Sequence, residues 1–260
     1  MSPPLAGVRV VVTRAESQSG ELAAALTEAG AEVAELPLLE VVPPADPQPL
    51  ATALADLGHF HWLILTSANA ARAVGAGLPH EPPRHLKVAV IGAATAKATE
   101  PWLGRPVDVA ASTGMAERMA EELARDHLRT GQAVLFPHAA DARGTLPAIL
   151  RRHQIRVEAV VAYAKRLPAD APARAADLFC GSPLGWVTFT SPSTVRHFVE
   201  VLAGAWPDRS GELLAASIGP VTTAALRDAG IEPVAEAARP SAEALVAAIV
   251  EAVQRPAPSD

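Results

Sequence analysis

The sequence predicts an α/β protein made of two doubly wound parallel-sheet domains. Short apolar runs alternate with longer stretches rich in Ala, Leu and Glu, a pattern typical of parallel strands covered by helices on both faces. The chain also repeats itself, and its Pro-rich segments fall inside the repeats. Of its 260 residues, 50% are hydrophobic, which is enough apolar material for two cores.

The apolar runs set the order of the elements. The first predicted strand is followed by a helix over Glu16–Ala29, which ends at Gly30. Helices are expected in most of the remaining gaps. The predicted strands are Val8–Thr13, Val33–Leu36, Trp62–Thr66, Lys87–Ile91, Ala133–Pro137, Val157–Val161, Trp186–Thr190 and Leu213–Ile218.

Chemically matched residues recur 124 positions apart, which indicates an internal duplication. Ile91-Gly92 and Ile218-Gly219 match at a spacing of 127, so the second repeat carries a three-residue insertion. The pairs at 124 are Gly7 and Gly131, Val33 and Val157, Leu36 and Val160, Pro44 and Pro168, Trp62 and Trp186, Thr66 and Thr190, and Ser67 and Ser191.

The Pro-rich segments, 42–49 and 167–172, predict where the domains divide. Cutting at both leaves a continuous domain over 45–163. The other domain is then discontinuous, built from 1–38 plus 168–256. Extended segments over Leu36–Val42 and Val160–Arg166 are expected to join the two as a two-stranded hinge. The Pro-rich tail, 257–260, is predicted to be disordered.

Composition removes several classes of function. The formal net charge is −6 and no Lys/Arg-rich face stands out, which argues against a nucleic-acid partner. No apolar run approaches the roughly 18 residues of a spanning helix, and no signal peptide is visible. Cys180 is the single cysteine, so no intramolecular disulfide can form. We therefore expect a soluble, cytoplasmic, monomeric protein.

Common catalytic and cofactor motifs are missing as well. There is no Walker-type phosphate loop, no G-x-G-x-x-G turn and no G-x-S-x-G elbow. His59 and His61 have metal-like spacing but nothing acidic beside them to complete a site. The sequence thus predicts neither a metal nor a cofactor.

Hydroxyl and glycine residues follow several predicted strands. One interpretation is that they are ordinary helix N-caps. The other is that the helix N-termini bind an anion, since ligands of open α/β sheets lie at the carboxyl ends of the strands. Thr13, Arg14 and Arg143 are further candidates for carboxylate contacts, or else solvated residues at helix starts. The turn residues are Thr66, Ser67, Asn69, Gly92, Thr190, Ser191, Ser193, Gly219 and Thr222.

Tyr163 is the only tyrosine and lies in the second hinge segment. A phenol can protonate a leaving group, so Tyr163 is the candidate general acid. A purely structural role for Tyr163 is the alternative.

Eight motifs, taken in order and spacing, resemble the uroporphyrinogen-III synthase family over nearly the whole chain. They are Val11-Val12-Thr13-Arg14, Ala31–Leu38, Trp62–Ala70, Val88–Gly92, Val160–Tyr163, Trp186–Ser193, Ile218–Thr222 and Pro240–Leu245.

The resemblance implies a lyase that cyclises hydroxymethylbilane, a linear tetrapyrrole with eight carboxylates, without cofactor or metal. The terminal hydroxyl leaves, an azafulvene and then a spiro intermediate form, and ring D is inverted in uroporphyrinogen III. Tyr163 would be the acid, Thr222 and Ser191 would bind substrate, and Thr66, Ser67, Gly92 and Gly219 would line a cleft. The chain departs from many relatives at Gly92-Ala93, where they have Gly-Pro, and at Pro137-His138-Ala139, where they have Pro-Arg-Gly. His138 would grip a carboxylate only when protonated.

Two alternatives without catalysis remain. One is a two-domain anion-binding protein, and the other is an inactive paralogue that serves as an interaction module. The presence of Tyr163 and Thr222 favours the enzyme.

Overall fold

The computed structural model describes residues 3–14, 16–111, 116–142, 144–181, 183–202 and 209–255. Arg143 and the tail 257–260 lie outside the described residues. The chain divides into two compact units. The first unit combines 1–40 with 166–260, and the second is 41–165.

Strands and helices alternate along the described residues. The strands are β1 (Arg9–Val12), β2 (Glu32–Glu35), β3 (Glu40–Val42), β4 (Trp62–Leu65), β5 (Lys87–Ile91), β6 (Val109–Ala111), β7 (Ala133–Ala139), β8 (Arg156–Arg166), β9 (Gly185–Phe189), β10 (Leu213–Ser217) and β11 (Ala235–Glu236). The helices are α1 (Glu16–Glu28), α2 (Gln48–Ala55), α3 (Ala68–Gly77), α4 (Ala93–Leu103), α5 (Ala116–Asp126), α6 (Thr145–Arg152), α7 (Ala171–Phe179), α8 (Pro192–Val201), α9 (Pro220–Asp228) and α10 (Ala242–Gln254).

Each unit is built on one sheet. The sheet of the first unit has the order β11-β10-β9-β1-β2, and that of the second has β3-β8-β7-β4-β5-β6. The strand pairs β1–β2, β1–β9, β9–β10, β4–β5, β4–β7 and β7–β8 all run parallel. The predicted α/β class with parallel sheets and two domains is confirmed.

The duplication is visible in the strand register. Val10 of β1 pairs with Trp186 of β9, and Val134 of β7 pairs with Trp62 of β4. Val134 lies 124 residues after Val10, and Trp186 lies 124 residues after Trp62. The two pairs are therefore equivalent positions of the two repeats. Each sheet therefore joins the opening strands of one repeat to the later strands of the other.

Both sheets are covered on two faces. In the second unit, Leu63 and Leu65 pack under α2, α3 and α4, whereas Trp62 and Ile64 pack under α5 and α6. This alternation follows from the two-residue period of a strand. The first unit repeats the arrangement, with α7, α8 and α9 on one face and α1 and α10 on the other.

The structure differs from the sequence expectation in its longest and shortest strands. β8 continues unbroken through the predicted hinge segment, and β3 lies beside it. β3 lies within the extended segment predicted over Leu36–Val42. The strands β6 and β11 were not predicted, because runs of two or three residues show no alternation. None of the described helices combines the length and the hydropathy of a bilayer span.

We propose that residues 41–165 are an autonomous domain. Expressed alone, this segment should be monomeric and unfold cooperatively, because the core on each face of its sheet is made of its own residues. Circular dichroism during urea titration measures this. The control is the segment 1–130, which lacks β7 and β8 and therefore leaves β4 without its neighbour in the sheet. This segment should not fold. Non-cooperative unfolding of 41–165 would contradict the proposal.

Candidate active site

Polar turns follow the central strands of both sheets. In the second unit, Thr66 and Ser67 follow β4, and Gly92 follows β5. In the first unit, Thr190 and Ser191 come directly after β9. Gly219 comes two residues after the end of β10. Because these strands are parallel, the turns of each unit lie at the carboxyl edge of its sheet.

Ser67 and Tyr163 meet in the second unit, although they are 96 residues apart in the chain. Ser67 caps α3, and its Oγ accepts a hydrogen bond from the amide of Ala70 at 3.1 Å. Its Oγ also lies 3.1 Å from the phenol oxygen of Tyr163. Tyr163 is 5% exposed and lies on β8, two strands away from β4 in the sheet. Two residues that sequence motifs singled out separately thus share a hydrogen bond.

Either oxygen of this pair could be the donor, and one of the two directions suits acid catalysis. A serine hydroxyl carries one proton, and Oγ of Ser67 already accepts from Ala70. When that proton points to Tyr163, the phenol keeps its own proton for a third group. The same bond stabilises the phenol oxygen once that proton leaves. Ser67 can therefore cap the helix and orient the phenol at the same time.

A β-bulge sets the position of Tyr163. The pairing of β7 with β8 shifts by one residue between His138 and Ala139, so that Ala139 faces Tyr163. Bulges of this kind turn a side chain relative to a regular ladder. The carbonyl of Tyr163 accepts from the amide of Ala140 at 2.9 Å, which fixes the backbone beyond the bulge.

One cation lies near the phenol. The ammonium of Lys165 is 6.0 Å from the centre of the Tyr163 ring, at the edge of cation–π range. The same ammonium is 3.9 Å from a carboxylate oxygen of Asp141. Lys165 thus places a positive charge on the Tyr163 side of the sheet.

The helices α4 and α9, which follow β5 and β10, both have glycine at the N-cap position. Gly92, before α4, has φ +80° and ψ +153°, which only glycine adopts readily, and no side chain caps this helix. A Cβ at Gly92 would meet nothing within 4 Å, so the backbone conformation and not packing requires glycine. Gly219 precedes α9, which also has no side-chain cap. Without a capping side chain, these N-termini leave room for an anion.

Other predicted site residues form hydrogen bonds within their own helices. Ser191 forms a capping box with Thr194 at the start of α8. Ser193 accepts from Arg196 at 3.3 Å, and Asn69 accepts from Arg72 at 3.0 Å. The N-cap interpretation therefore describes part of what Ser67 and Ser191 do.

The remaining candidates lie at different depths. Thr13 is fully buried, and its hydroxyl donates to the carbonyl of Thr188 at 2.6 Å. Arg14, Thr66 and Thr190 are partly exposed at the ends of their strands. Thr222 is 3% exposed in the first turn of α9.

His138 lies near the end of β7 and is bound within its own loop. Its Nδ1 donates to the carbonyl of Ala139 at 2.8 Å, because a carbonyl can only accept. Its ring stacks on Phe136 with the centres 5.5 Å apart. Nε2 is the nitrogen left for any contact outside this loop.

A hydrogen-bonded chain in the first unit was missed at the sequence level. Ser217, Thr223 and Glu236 bond to one another near the start of α9. No local motif marks these residues, because the chain joins two strands and a helix. Among the described residues, no group of three metal-ligand side chains comes together.

Comparison with known proteins places the chain. The family model described as uroporphyrinogen-III synthase HemD matches residues 20–247. A uroporphyrinogen-III synthase from Synechococcus elongatus is 35% identical over 229 residues, which is 85% of this chain and 86% of that protein.

The chain belongs to the uroporphyrinogen-III synthase family. The resemblance read from the eight motifs is thus confirmed. The fold agrees with two solved uroporphyrinogen-III synthase structures. A mutant of the Thermus thermophilus protein has a TM-score of 0.62 at 18% identity, covering 95% of this chain and 99% of its own. The Helicobacter pylori protein has a TM-score of 0.62 at 20% identity, covering 94% and 99%.

The Ser67–Tyr163 hydrogen bond should be measurable as a coupling. Ser67→Ala should cost about 1 kcal/mol through the lost cap. A double-mutant cycle with Tyr163→Phe should give a further coupling of about 0.5–1.5 kcal/mol in urea unfolding. Ser241→Ala removes a side-chain cap from α10 with no tyrosine attached and is the control. Zero coupling between Ser67 and Tyr163 would contradict the contact.

Gly92→Ala should be costly despite the open space around it. Forcing a side chain into this backbone region costs about 1–3 kcal/mol, measured as a loss in the free energy of unfolding. Gly58→Ala is the matched control, since a Cβ at Gly58 also meets nothing within 4 Å and its φ lies outside the strained range. Equal effects of the two substitutions would show that the conformation at Gly92 is not the cause.

Proposed function

We propose that this protein catalyses the uroporphyrinogen-III synthase reaction, the cyclisation of hydroxymethylbilane with inversion of ring D through a spiro intermediate. Membership of the family supports the reaction class. The observation that carries the assignment is the hydrogen bond between Ser67 and Tyr163, because with Ser67 as the donor the phenol keeps its proton for the substrate. A cyclase needs such a group to remove the terminal hydroxyl of the bilane.

Tyr163 acts as the acid in the first step. Its phenol proton moves to the terminal hydroxyl, the carbon–oxygen bond breaks, and water leaves. The electron pair of the nitrogen in the pyrrole that carried the hydroxymethyl group replaces the lost bond and gives the azafulvene in its protonated, cationic form. Ser67 donates to the phenolate that remains. Ring closure later releases one proton from a ring carbon, so the phenol is restored without an outside acid.

The polar turns bind the carboxylates. The uncapped N-termini after Gly92 and Gly219 offer partial positive charge to an anion, and a carboxylate is the anion this substrate carries. Arg14 adds a full charge at the end of β1. The hydroxyls of Thr66, Thr190, Ser191 and Thr222 add donors, while Asn69 and Ser193 lie beside these turns. Thr13 supports Arg14 from within the sheet through its bond to Thr188.

Hydrogen-bond donors at the site must bind the anionic substrate despite the negative net charge of the protein. The formal net charge of −6 does not attract a polyanion from a distance. Holding the bilane in one geometry is the main catalytic task, since the free bilane can close without inversion. Correct orientation can lower a barrier by up to about 7–11 kcal/mol.

We further propose that the protein works as a monomer in the cytoplasm, without cofactor, metal, membrane or nucleic acid. Cys180 is a free, exposed thiol, a state that a reducing compartment maintains. Sedimentation of the purified protein measures the oligomeric state.

Product analysis tests the proposed function. Purified protein incubated with freshly generated hydroxymethylbilane should raise the type III isomer above a protein-free sample, as separated by chromatography after oxidation. Tyr163→Phe should lower the rate by roughly 10²–10⁴-fold, the range for a lost general acid.

The matched control replaces a buried aromatic residue far from the polar turns. Phe179→Leu in the core of the first unit should leave the isomer ratio unchanged. Type I alone from the wild-type protein would refute the cyclase and favour the anion-binding protein or the inactive paralogue.

A further inference from the structure

The first turn of α9 is held from beneath by a chain of three polar side chains. Ser217 ends β10, Thr223 lies in the first turn of α9, and Glu236 ends β11. The hydroxyl oxygens of Ser217 and Thr223 are 2.6 Å apart, and the Thr223 hydroxyl donates to Oε2 of Glu236. Ser217 is 0% exposed and Thr223 is 4% exposed. Both hydroxyls are therefore oriented inside the fold.

The two hydrogen bonds run in one direction, from Ser217 through Thr223 to Glu236. A carboxylate can only accept, so the proton of Thr223 points to Glu236. The oxygen of Thr223 is then free to accept, and the proton of Ser217 points to it. The charge on Glu236 thus orders both hydroxyls, and hydrogen bonds to an ionised acceptor are stronger than neutral ones.

The duplicated unit shows that the fold does not need this chain. Ser217 pairs with Glu236 between β10 and β11, and Val90 pairs with Ala110 between β5 and β6. Ala96 occupies the place of Thr223, at the 127-residue spacing. The second unit therefore builds the same strand–glycine–helix turn with apolar residues. Formation of the turn therefore does not explain why the first unit has Ser217, Thr223 and Glu236 at these positions.

The polar chain can be explained by the exposed N-terminus of α9, which no side chain covers. Gly219 brings no side chain to the start of α9, so no side chain caps this helix. The amides of Thr222 and Thr223 donate to the carbonyl of Gly219, each at 3.0 Å. In the same turn Val221 is 69% exposed, while Thr222 is 3% exposed and lies next to Thr223. A tether beneath the turn fixes its rotation and leaves its N-terminus uncovered. A capping side chain would fix the turn but occupy the amides.

The charge of Glu236 acts on Arg227, which itself pairs with Glu232 at 2.7 Å. Arg227 lies one turn further along α9, and its pKa is raised, chiefly by its hydrogen bond with Glu232 and in small part by the charge of Glu236.

We propose that Ser217, Thr223 and Glu236 are positioning residues that hold Thr222 and the uncapped start of α9 in their substrate-binding geometry. This role rests on the proposed function. None of the three needs to touch the bilane. They act through the turn, which they fix without covering it.

Substitution at Thr223 tests the role. Thr223→Val keeps the shape of the side chain and removes both hydrogen bonds. We expect the KM for hydroxymethylbilane to rise by roughly tenfold, the change that follows when a displaced turn loses one hydrogen bond of ordinary strength to the substrate. We expect kcat to change less. Thr223→Ser restores the hydroxyl and should restore the KM.

The split between KM and kcat separates positioning from stability. A variant that only loses folded protein has a lower maximal rate at an unchanged KM. Thr99→Val is the matched control, because Thr99 is fully buried and its hydroxyl bonds only to the carbonyl of Thr95 within α4. Its KM should equal that of the wild type.

Amide hydrogen exchange of the unliganded protein gives a readout without activity. The amides of Val221–Thr223 should exchange faster in Thr223→Val than in the wild type, and no faster in Thr99→Val. If the wild type is active and Thr223→Val has the same KM and the same amide exchange as the wild type, the positioning role is wrong and the proposed function stands. A wild type that forms no type III isomer would overturn the proposed function and the positioning role with it, whatever the exchange shows.

Discussion

The pairing of strands from different repeats is the contact on which the rest of the structure depends. β1 pairs with β9 in one sheet and β7 pairs with β4 in the other, in registers related by the duplication. Each pairing lies at the centre of its sheet, and the helices on both faces pack against it. The polar turns take their places because the central parallel strands all end at the same edge. Loss of either pairing would remove a core and a set of turns together.

Much of the architecture could be predicted because apolar runs and repeated residues mark it in the sequence. The β-branched runs gave the long strands, and the match of Trp62 with Trp186 revealed the repeat. Short strands such as β11 could not be predicted, since two residues carry no periodicity. The continuity of β8 was also missed, because its residues fit both a strand and an extended hinge.

The candidate site could be predicted only in part, for a related reason. Ser67 and Tyr163 were each visible in a motif, but their hydrogen bond depends on a bulge and on strand order. The chain from Ser217 to Glu236 had no signal at all, because its members are adjacent only after β10, α9 and β11 are packed. Residues that act through contacts distant in sequence need the fold before they can be named.

The exchange of strands between repeats has a consequence for biosynthesis. The second unit has all its residues once 165 has been made, whereas β1 must wait for β9. At ordinary translation rates of about 5–20 residues per second, that wait lasts on the order of ten seconds. During it, Val10, Val11 and Val12 have no partner strand on one side, and an apolar strand with an open edge invites aggregation. Until β9 has been made, the open side of β1 is therefore the part of the first unit most exposed to pairing with a wrong strand.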